Sequence, residues 1–405
     1  MRLNWVESDL MGELHARKLE LLNQGNEVID LSMINPDIPP SRLMLDKLME
    51  ATVRPVNHRY AVARGIRKLR EAIAIKYKNA WEVQIDPESQ VCATMGSKDA
   101  IEHVLMCLAA DGDSVLMGIP AYPAFVSAAL LARLKPTFFE ISSDESVMLE
   151  SISKAVAHHN PKILLLNFPN NPTGIAVSRD FYIRLADILG DRDIHVVNDF
   201  VYGEMMFDGS PGVSLLSVEG LKGRASEIYS MSKAYSVPGW RIGSLVGDPG
   251  LIARMAALKA HIDYGIFLPL QYAAAACLTS DLKQVKVVTE QYKERSQLLC
   301  DGLRRRGWTV RDPDAGCSVW CKMPKSAKFT EQFATDLLNH GQIAVLPGAV
   351  FGGNGLADGA LSDRSNILDG MIRLALVQPV SRLRAVLDRI DEISFSGSPE
   401  TCSLA

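Results

Sequence analysis

Seven short apolar runs recur between residues 91 and 248. They are "VCATM" (91–95), "SVLMGI" (114–119), "PTFFEI" (136–141), "KILLLNF" (162–168), "IHVVND" (194–199), "EIYSM" (227–231) and "GSLVGD" (243–248). Each is too short for a buried helix, and most are rich in β-branched or aromatic residues, as strands are. Segments of helical spacing separate several of them, at 97–109, 121–132, around 147–157 and around 179–189. Apolar strands alternating with helices predict an α/β fold, with a mostly parallel seven-stranded sheet covered by helices on both faces.

The flanks read differently. A chain of 405 residues has room for a large domain and a smaller one. After residue 285 a long helical pattern, "VVTEQYKERSQLLCDGLRRRG", leads into "WTVRDPDAGCSVWCKM", another helix, "IAVLPGAVFG" and "MIRLAL". This predicts a smaller α+β domain over 285–405, beside a large domain over 45–284. The segment 1–44 holds one amphipathic helix and a short strand in "EVIDLSMINPDIPP". It is expected to join the small domain, because chain ends are often neighbours. A helical stretch is expected to follow through residue 80, including "GIRKLREAIAIKYKNAW".

Composition removes several functions. The net charge is −4, so no basic surface recruits nucleic acid or an anionic membrane. Arg304-Arg305-Arg306 reads as a solvated helix end. No apolar run is long enough to span a bilayer, and the charged first twenty residues do not read as a secretory signal. The seven cysteines include no C-x-x-C pair, which fits reduced thiols in the cytoplasm and no metal site. The final "CSLA" matches a prenylation box only formally, with no basic stretch before it.

In parallel sheets, ligands bind beyond the carboxyl ends of the strands, so the residues there carry the functional reading. Gly96-Ser97-Lys98 opens a helix, where free N–H groups and the macrodipole favour an anion. Tyr122 could stack on a flat ring. Asn171 lies in "PNNPTG", a turn stiffened by two prolines. Asp199, at the end of the strand-like run "IHVVND", needs a cationic partner, and Tyr202 follows it. Ser230, Ser232, Lys233 and Arg241 complete the set; a lysine in a cationic, partly desolvated pocket becomes a nucleophile for carbonyls. Each signal alone admits a plainer reading: a helix cap, a packing tyrosine, a turn-suited Asn, a structural ion pair. Together they ask for a ligand with a phosphate, a flat ring, a ring nitrogen for a carboxylate, a polar ring oxygen and an aldehyde. Pyridoxal 5′-phosphate has all five, and a lysine Schiff base with an Asp at the ring nitrogen is its general mode of binding.

"NFPNNPTG", "SMSKAYSVPGWRIG" and the Asp-x-x-Tyr of "NDFVYGEM", in this order and spacing, resemble the class I/II aminotransferases of the aspartate-aminotransferase fold (fold type I). The resemblance runs from "SMINPD" to "MIRLAL"; "HRYAVARGIRKLREAI", "DPESQ" and "GSKDAIEHVL" are most similar to the alanine-forming, glutamate-linked branch. It implies that Lys233 holds the cofactor as a Schiff base and then shuttles the proton. Asp199 would hold the ring nitrogen's proton, Asn171 and Tyr202 would contact the ring oxygen, and Tyr122 would stack on the ring. The turn Gly96-Ser97-Lys98, Ser230 and Arg241 would bind the phosphate. Tyr60 would reach the phosphate of a neighbouring subunit, implying a homodimer with shared sites. Arg373 would grip the substrate α-carboxylate, with Asn171 and Ile34 also at the substrate. The implied activity is transfer of an amino group between a small or aliphatic L-amino acid and a 2-oxo acid such as 2-oxoglutarate or pyruvate. Arg59 and Arg64 are candidates for a distal carboxylate.

One position departs from the family. Ile34 stands where a glycine is usual, and isoleucine cannot take a positive φ cheaply. Strain or bulk there would leave room for a lyase, a decarboxylating synthase or an oxidase on the same scaffold.

Overall fold

The computed structural model describes residues 10–280, 283–324, 330–352 and 367–393. The first nine residues and the "CSLA" box lie outside them. All seven expected strands form one sheet: β2 (Val91–Thr94), β3 (Ser114–Ile119), β4 (Lys135–Glu140), β5 (Ile163–Leu166), β6 (His195–Asp199), β7 (Ala225–Ser230) and β8 (Gly243–Gly247). Their order is β2-β8-β7-β6-β5-β3-β4. Strands β3 to β7 pair in parallel, whereas β8 is antiparallel to both β7 and β2. The reversal has a local cause. Residues 231–242 join β7 to β8 through a 3-10 turn at Pro238–Trp240, with no α-helix among them. A parallel return is usually made through a helical crossover.

The strands' alternation feeds two cores. Leu116, Leu164, Leu166 and Val196 face one layer of helices, including α6 (Glu145–His159) and α7 (Arg179–Leu189). Val115, Met117, Ile163, Leu165 and Val197 face the other, formed by α4 (Gly96–Leu108), α5 (Pro123–Leu131) and α8 (Pro249–Ile262). Burial on both faces is why these runs are continuously apolar.

Beyond this sheet, β9 (Thr309–Val310), β10 (Ser318–Lys322), β12 (Leu346–Pro347) and β13 (Met371–Ala375) form a four-stranded antiparallel sheet. Helix α10 (Lys283–Arg304) leads into it. Near the other end of the chain, α1 (Leu10–Asn23) precedes β1 (Ile29–Asp30), which pairs in parallel with β11 (Ile343–Ala344). The helical stretch expected through residue 80 is interrupted. Helix α2 (Arg42–Thr52) ends before a 3-10 turn at Pro55–His58, and α3 (Arg67–Trp81) starts only after Gly65. Pro55 stops the first helix. Gly65 has a φ of +84°, and a Cβ there would lie 2.5 Å from that of Ala93.

A buried ion pair joins α3 to the large sheet. Lys76 pairs with Glu204, and their side chains are 2% and 7% exposed. Glu204 also accepts from the hydroxyls of Tyr229, at 2.5 Å, and Tyr235, at 3.3 Å. One carboxylate therefore fixes α3, the turn after β6, strand β7 and the residues just past Lys233. Glu204→Gln would leave the Lys76 ammonium buried without its counter-charge. We expect a loss of about 3–5 kcal/mol of stability, read from urea denaturation of the cofactor-free protein. A loss below about 1 kcal/mol, the range of an exposed pair, would show that the pair is not structural.

Candidate active site

The short β7–β8 connection leaves the carboxyl end of β7 and carries three of the expected residues. Ser230, the last residue of β7, donates its hydroxyl to Ser232 Oγ at 3.0 Å. Lys233 follows, half-buried, and its Nζ donates to the Ile34 carbonyl at 2.6 Å. Burial lowers its pKa to about 8, with Arg373 and Arg241 acting in the same direction. Arg241 has a left-handed backbone (φ +52°), which turns the chain back into β8. Its guanidinium donates to Pro238 O at 2.9 Å and to Met95 O at 3.2 Å.

That second bond brings Arg241 onto the turn that opens α4. Gly96 has a φ of +81°, and a Cβ there would overlap the Arg241 guanidinium. Only glycine combines that backbone with so close a cation. Asp99 accepts from Met95 N–H at 3.0 Å and holds the turn; the fully buried Lys259 pairs with Asp99 and Asp263 beneath it. Ser97 is half-buried beside Gly96, whereas the Lys98 side chain is exposed, leaving only its backbone for a phosphate.

The neighbouring strands carry the residues expected at the ring. Asp199 ends β6, is 4% exposed, and its Oδ1 has no partner among the described residues. Burial pushes its pKa up to about 7, against the pull of the Lys233 ammonium. Tyr202 is buried, with its ring against the bare backbone of Gly316. Tyr122 caps α5 and stands edge-on to Phe125, centroids 5.6 Å apart. Asn171 is buried in the loop after β5.

The small sheet adds a cation. Arg373 lies in β13 between Trp320 and Leu346 and is 4% exposed. Its Nη1 donates to Asn171 Oδ1 at 3.4 Å, its Nη2 donates to the Ser32 carbonyl, and its Nε has no partner among the described residues. Burial lowers its pKa to about 10, so it stays cationic at neutral pH. The Ser32–Asp37 strap thus touches Arg373 through Ser32 and Lys233 through Ile34. Arg295 pins its far end, gripping Asp37 with bonds of 2.6 and 2.8 Å. Ile34 is not among the residues with positive φ. Its side chain packs against the main core, so the strain expected of this substitution does not arise.

Three expected residues stand apart. Tyr60 is 89% exposed, edge-on to Tyr264 on an outer face. Arg59 is exposed, and Arg64 donates to the Glu88 carbonyl, so neither is committed to this pocket. Sequence reasoning overlooked Arg295 and Asn167. Arg295 reads as one more charge on a helix. Asn167 is the first residue past β5 and its role is visible only in its bonds.

The residues present fit pyridoxal 5′-phosphate. An orphaned carboxylate oxygen awaits a cationic ring nitrogen, a glycine turn under Arg241 forms an anion cradle, and a lysine with a lowered pKa suits an aldehyde. Relatives agree with this chemistry. The family model for aminotransferase class I and II matches residues 26–364. The glutamate-pyruvate aminotransferase AlaC of Escherichia coli is 34% identical over 374 residues, 91% of this chain and 87% of that protein. An LL-diaminopimelate aminotransferase of Syntrophobacter fumaroxidans is 32% identical over 97% of this chain and 98% of its own length. The substrate-bound structure of BacF from Bacillus subtilis superposes with a TM-score of 0.86 at 31% identity, over 95% of both chains. Match length, identity and site chemistry converge: the chain belongs to the class I and II aminotransferases, fold-type-I transaminases that use pyridoxal 5′-phosphate.

Proposed function

We propose that the chain moves an amino group between a small or aliphatic L-amino acid, alanine among them, and a 2-oxo acid such as 2-oxoglutarate or pyruvate. The observation that carries this reading is the strap contact. Through Ser32 and Ile34 a single segment touches both Arg373 and Lys233. A carboxylate-binding cation and an amine base are thereby tied to one short segment. Similarity to an alanine-forming enzyme supports alanine. Within one chain neither Arg59 nor Arg64 is turned to the site, and Arg59 adjoins Tyr60 on the outer face.

The residue roles follow from chemistry. Pyridoxal 5′-phosphate supplies an electron sink that stabilises negative charge at the substrate α-carbon. Arg373 binds the α-carboxylate through its two Nη groups. This fixes which face of the α-carbon the amine meets. Lys233 Nζ, once free, takes the α-proton as general base and returns it as general acid. Its depressed pKa keeps part of it neutral near pH 7. Asp199 holds the ring nitrogen's proton, and its raised pKa falls when a cation faces Oδ1. Asn171 and Tyr202 serve the ring oxygen, and Tyr122 covers the ring. The Gly96-Ser97-Lys98 backbone, Ser230 and Arg241 hold the phosphate. Two half-reactions at one site require ping-pong kinetics.

We also assign Tyr60 to the site of a second copy, giving a homodimer. Its support is the exposed apolar face it shares with Val62, Tyr264 and Phe267. The six cysteines among the described residues are all unpaired, which suits a reducing compartment such as the cytoplasm.

The function is tested with an amino-donor panel, following conversion of the cofactor to its amine form. Alanine and other small donors are expected to convert it, and Lys233→Ala to abolish turnover and the borohydride-fixed adduct. Release of ammonia or carbon dioxide without conversion would refute the transamination reading.

Lys233 also sets a pH dependence. A lowered lysine pKa means the amine is protonated and inert below about pH 8 and neutral above it. Covalent capture of added cofactor by the cofactor-free protein should therefore accelerate as pH rises through about 8. A midpoint near that of an ordinary lysine, about 10.4, would contradict the assigned environment.

Sedimentation should give twice the chain mass, and Tyr60→Phe should weaken cofactor binding. A monomer with full cofactor affinity would remove Tyr60 from the site.

A further inference from the structure

We infer that Asn167 is a positioning residue that sets the separation between the ring-nitrogen carboxylate and the ring-oxygen amide. The inference rests on the roles proposed above for Asp199 and Asn171. Asn167 is 5% exposed, one residue past the end of β5. Its Nδ2 donates to the backbone carbonyl of Asp199 at 2.7 Å. Its Oδ1 accepts from the backbone N–H of Asn171 at 2.9 Å. One planar amide therefore ties the backbone of the residue assigned to the ring nitrogen to that of the residue assigned to the ring oxygen, with Arg373 beyond Asn171 at 3.4 Å.

The side-chain type matters. Asparagine offers a donor and an acceptor on one short plane without charge. Aspartate keeps the acceptor and loses the donor; alanine loses both. A comparison is built into the fold. Asn198 makes an equally buried bridge between the same strands, accepting from Phe168 N–H at 2.9 Å and donating to Phe168 O at 3.1 Å. Asn198 bonds the backbone of neither Asp199 nor Asn171. Loss of Asn167 frees the carboxylate and the amide to move independently, whereas loss of Asn198, which also bonds the buried Glu227, leaves both of those bonds in place.

The consequence is read on the loaded protein without turnover. Donation to the ring oxygen and a protonated ring nitrogen both make the Lys233 Schiff base easier to deprotonate. Weakening both should raise the pH midpoint of the bound cofactor's visible absorbance. Asn167→Ala is expected to raise it by about one unit and to weaken cofactor binding about tenfold. Asn167→Asp, closer in size, should raise the midpoint too and serves if the alanine variant does not fold. Asn198→Ala is expected to keep the midpoint, and urea denaturation of the cofactor-free variants reports loss of stability separately. Unchanged midpoint and affinity in the Asn167 variants would overturn the inference, as would an equal shift in Asn198→Ala. Failure of the unsubstituted protein to form a borohydride-fixed adduct at Lys233 would instead bring down the site reading, and this inference with it.

Discussion

Beneath the site, an ammonium and a carboxylate meet with almost no access to water. Lys76 and Glu204 stand at the junction of α3, the turn after β6, strand β7 and the segment after Lys233. Burying either charge alone costs several kcal/mol, so the four elements assemble together or not at all. Asp199 and Tyr202 precede Glu204, and Lys233 precedes Tyr235. The pair thus ties together the segments that carry Asp199 and Lys233, although neither Lys76 nor Glu204 hydrogen-bonds either of them.

The site above is charged in a different manner. Among the described residues its cations, Lys233, Arg241 and Arg373, have no salt-bridged carboxylate, and Asp199 has an oxygen without a hydrogen-bond partner. Such groups are costly in an empty pocket and well matched to anionic ligands. The residues proposed for the phosphate and for the α-carboxylate belong to different sheets, and the strap holding Ser32 and Ile34 touches Arg373 of the small sheet and Lys233 past the large one. An isoleucine in that strap is compatible with the geometry because its backbone never enters the left-handed region and its side chain packs inward.

Legibility followed physical cause. The large sheet could be read because strands buried on both faces must be continuously apolar, and the turns at their ends stand out by contrast. Lys233, Asp199, Asn171, Tyr202 and Arg241 were visible for that reason. Arg373 was not, since an arginine in a short strand of a small sheet carries no local mark; the family resemblance alone singled it out. The two-residue strands β9, β11 and β12 are too short for any periodicity, whereas the equally short β1 falls in the run where a strand is expected. The interruption between α2 and α3 depends on Pro55 and on Gly65 meeting Ala93, a contact distant in sequence.

What the sequence determined by itself was the layer architecture, the family and the identity of the groups at the strand ends, because hydrophobic period and turn chemistry are local. Only tertiary structure decided which of those groups meet. Arg373 reaches Asn171 across 202 residues, Lys233 reaches Ile34 across 199, and Tyr60 faces outward instead of inward. Long-range pairing and burial set these relations, and no run of neighbouring residues encodes them. The same holds for Asn167: an asparagine after a strand is ordinary until its amide is seen bonding Asp199 and Asn171 together.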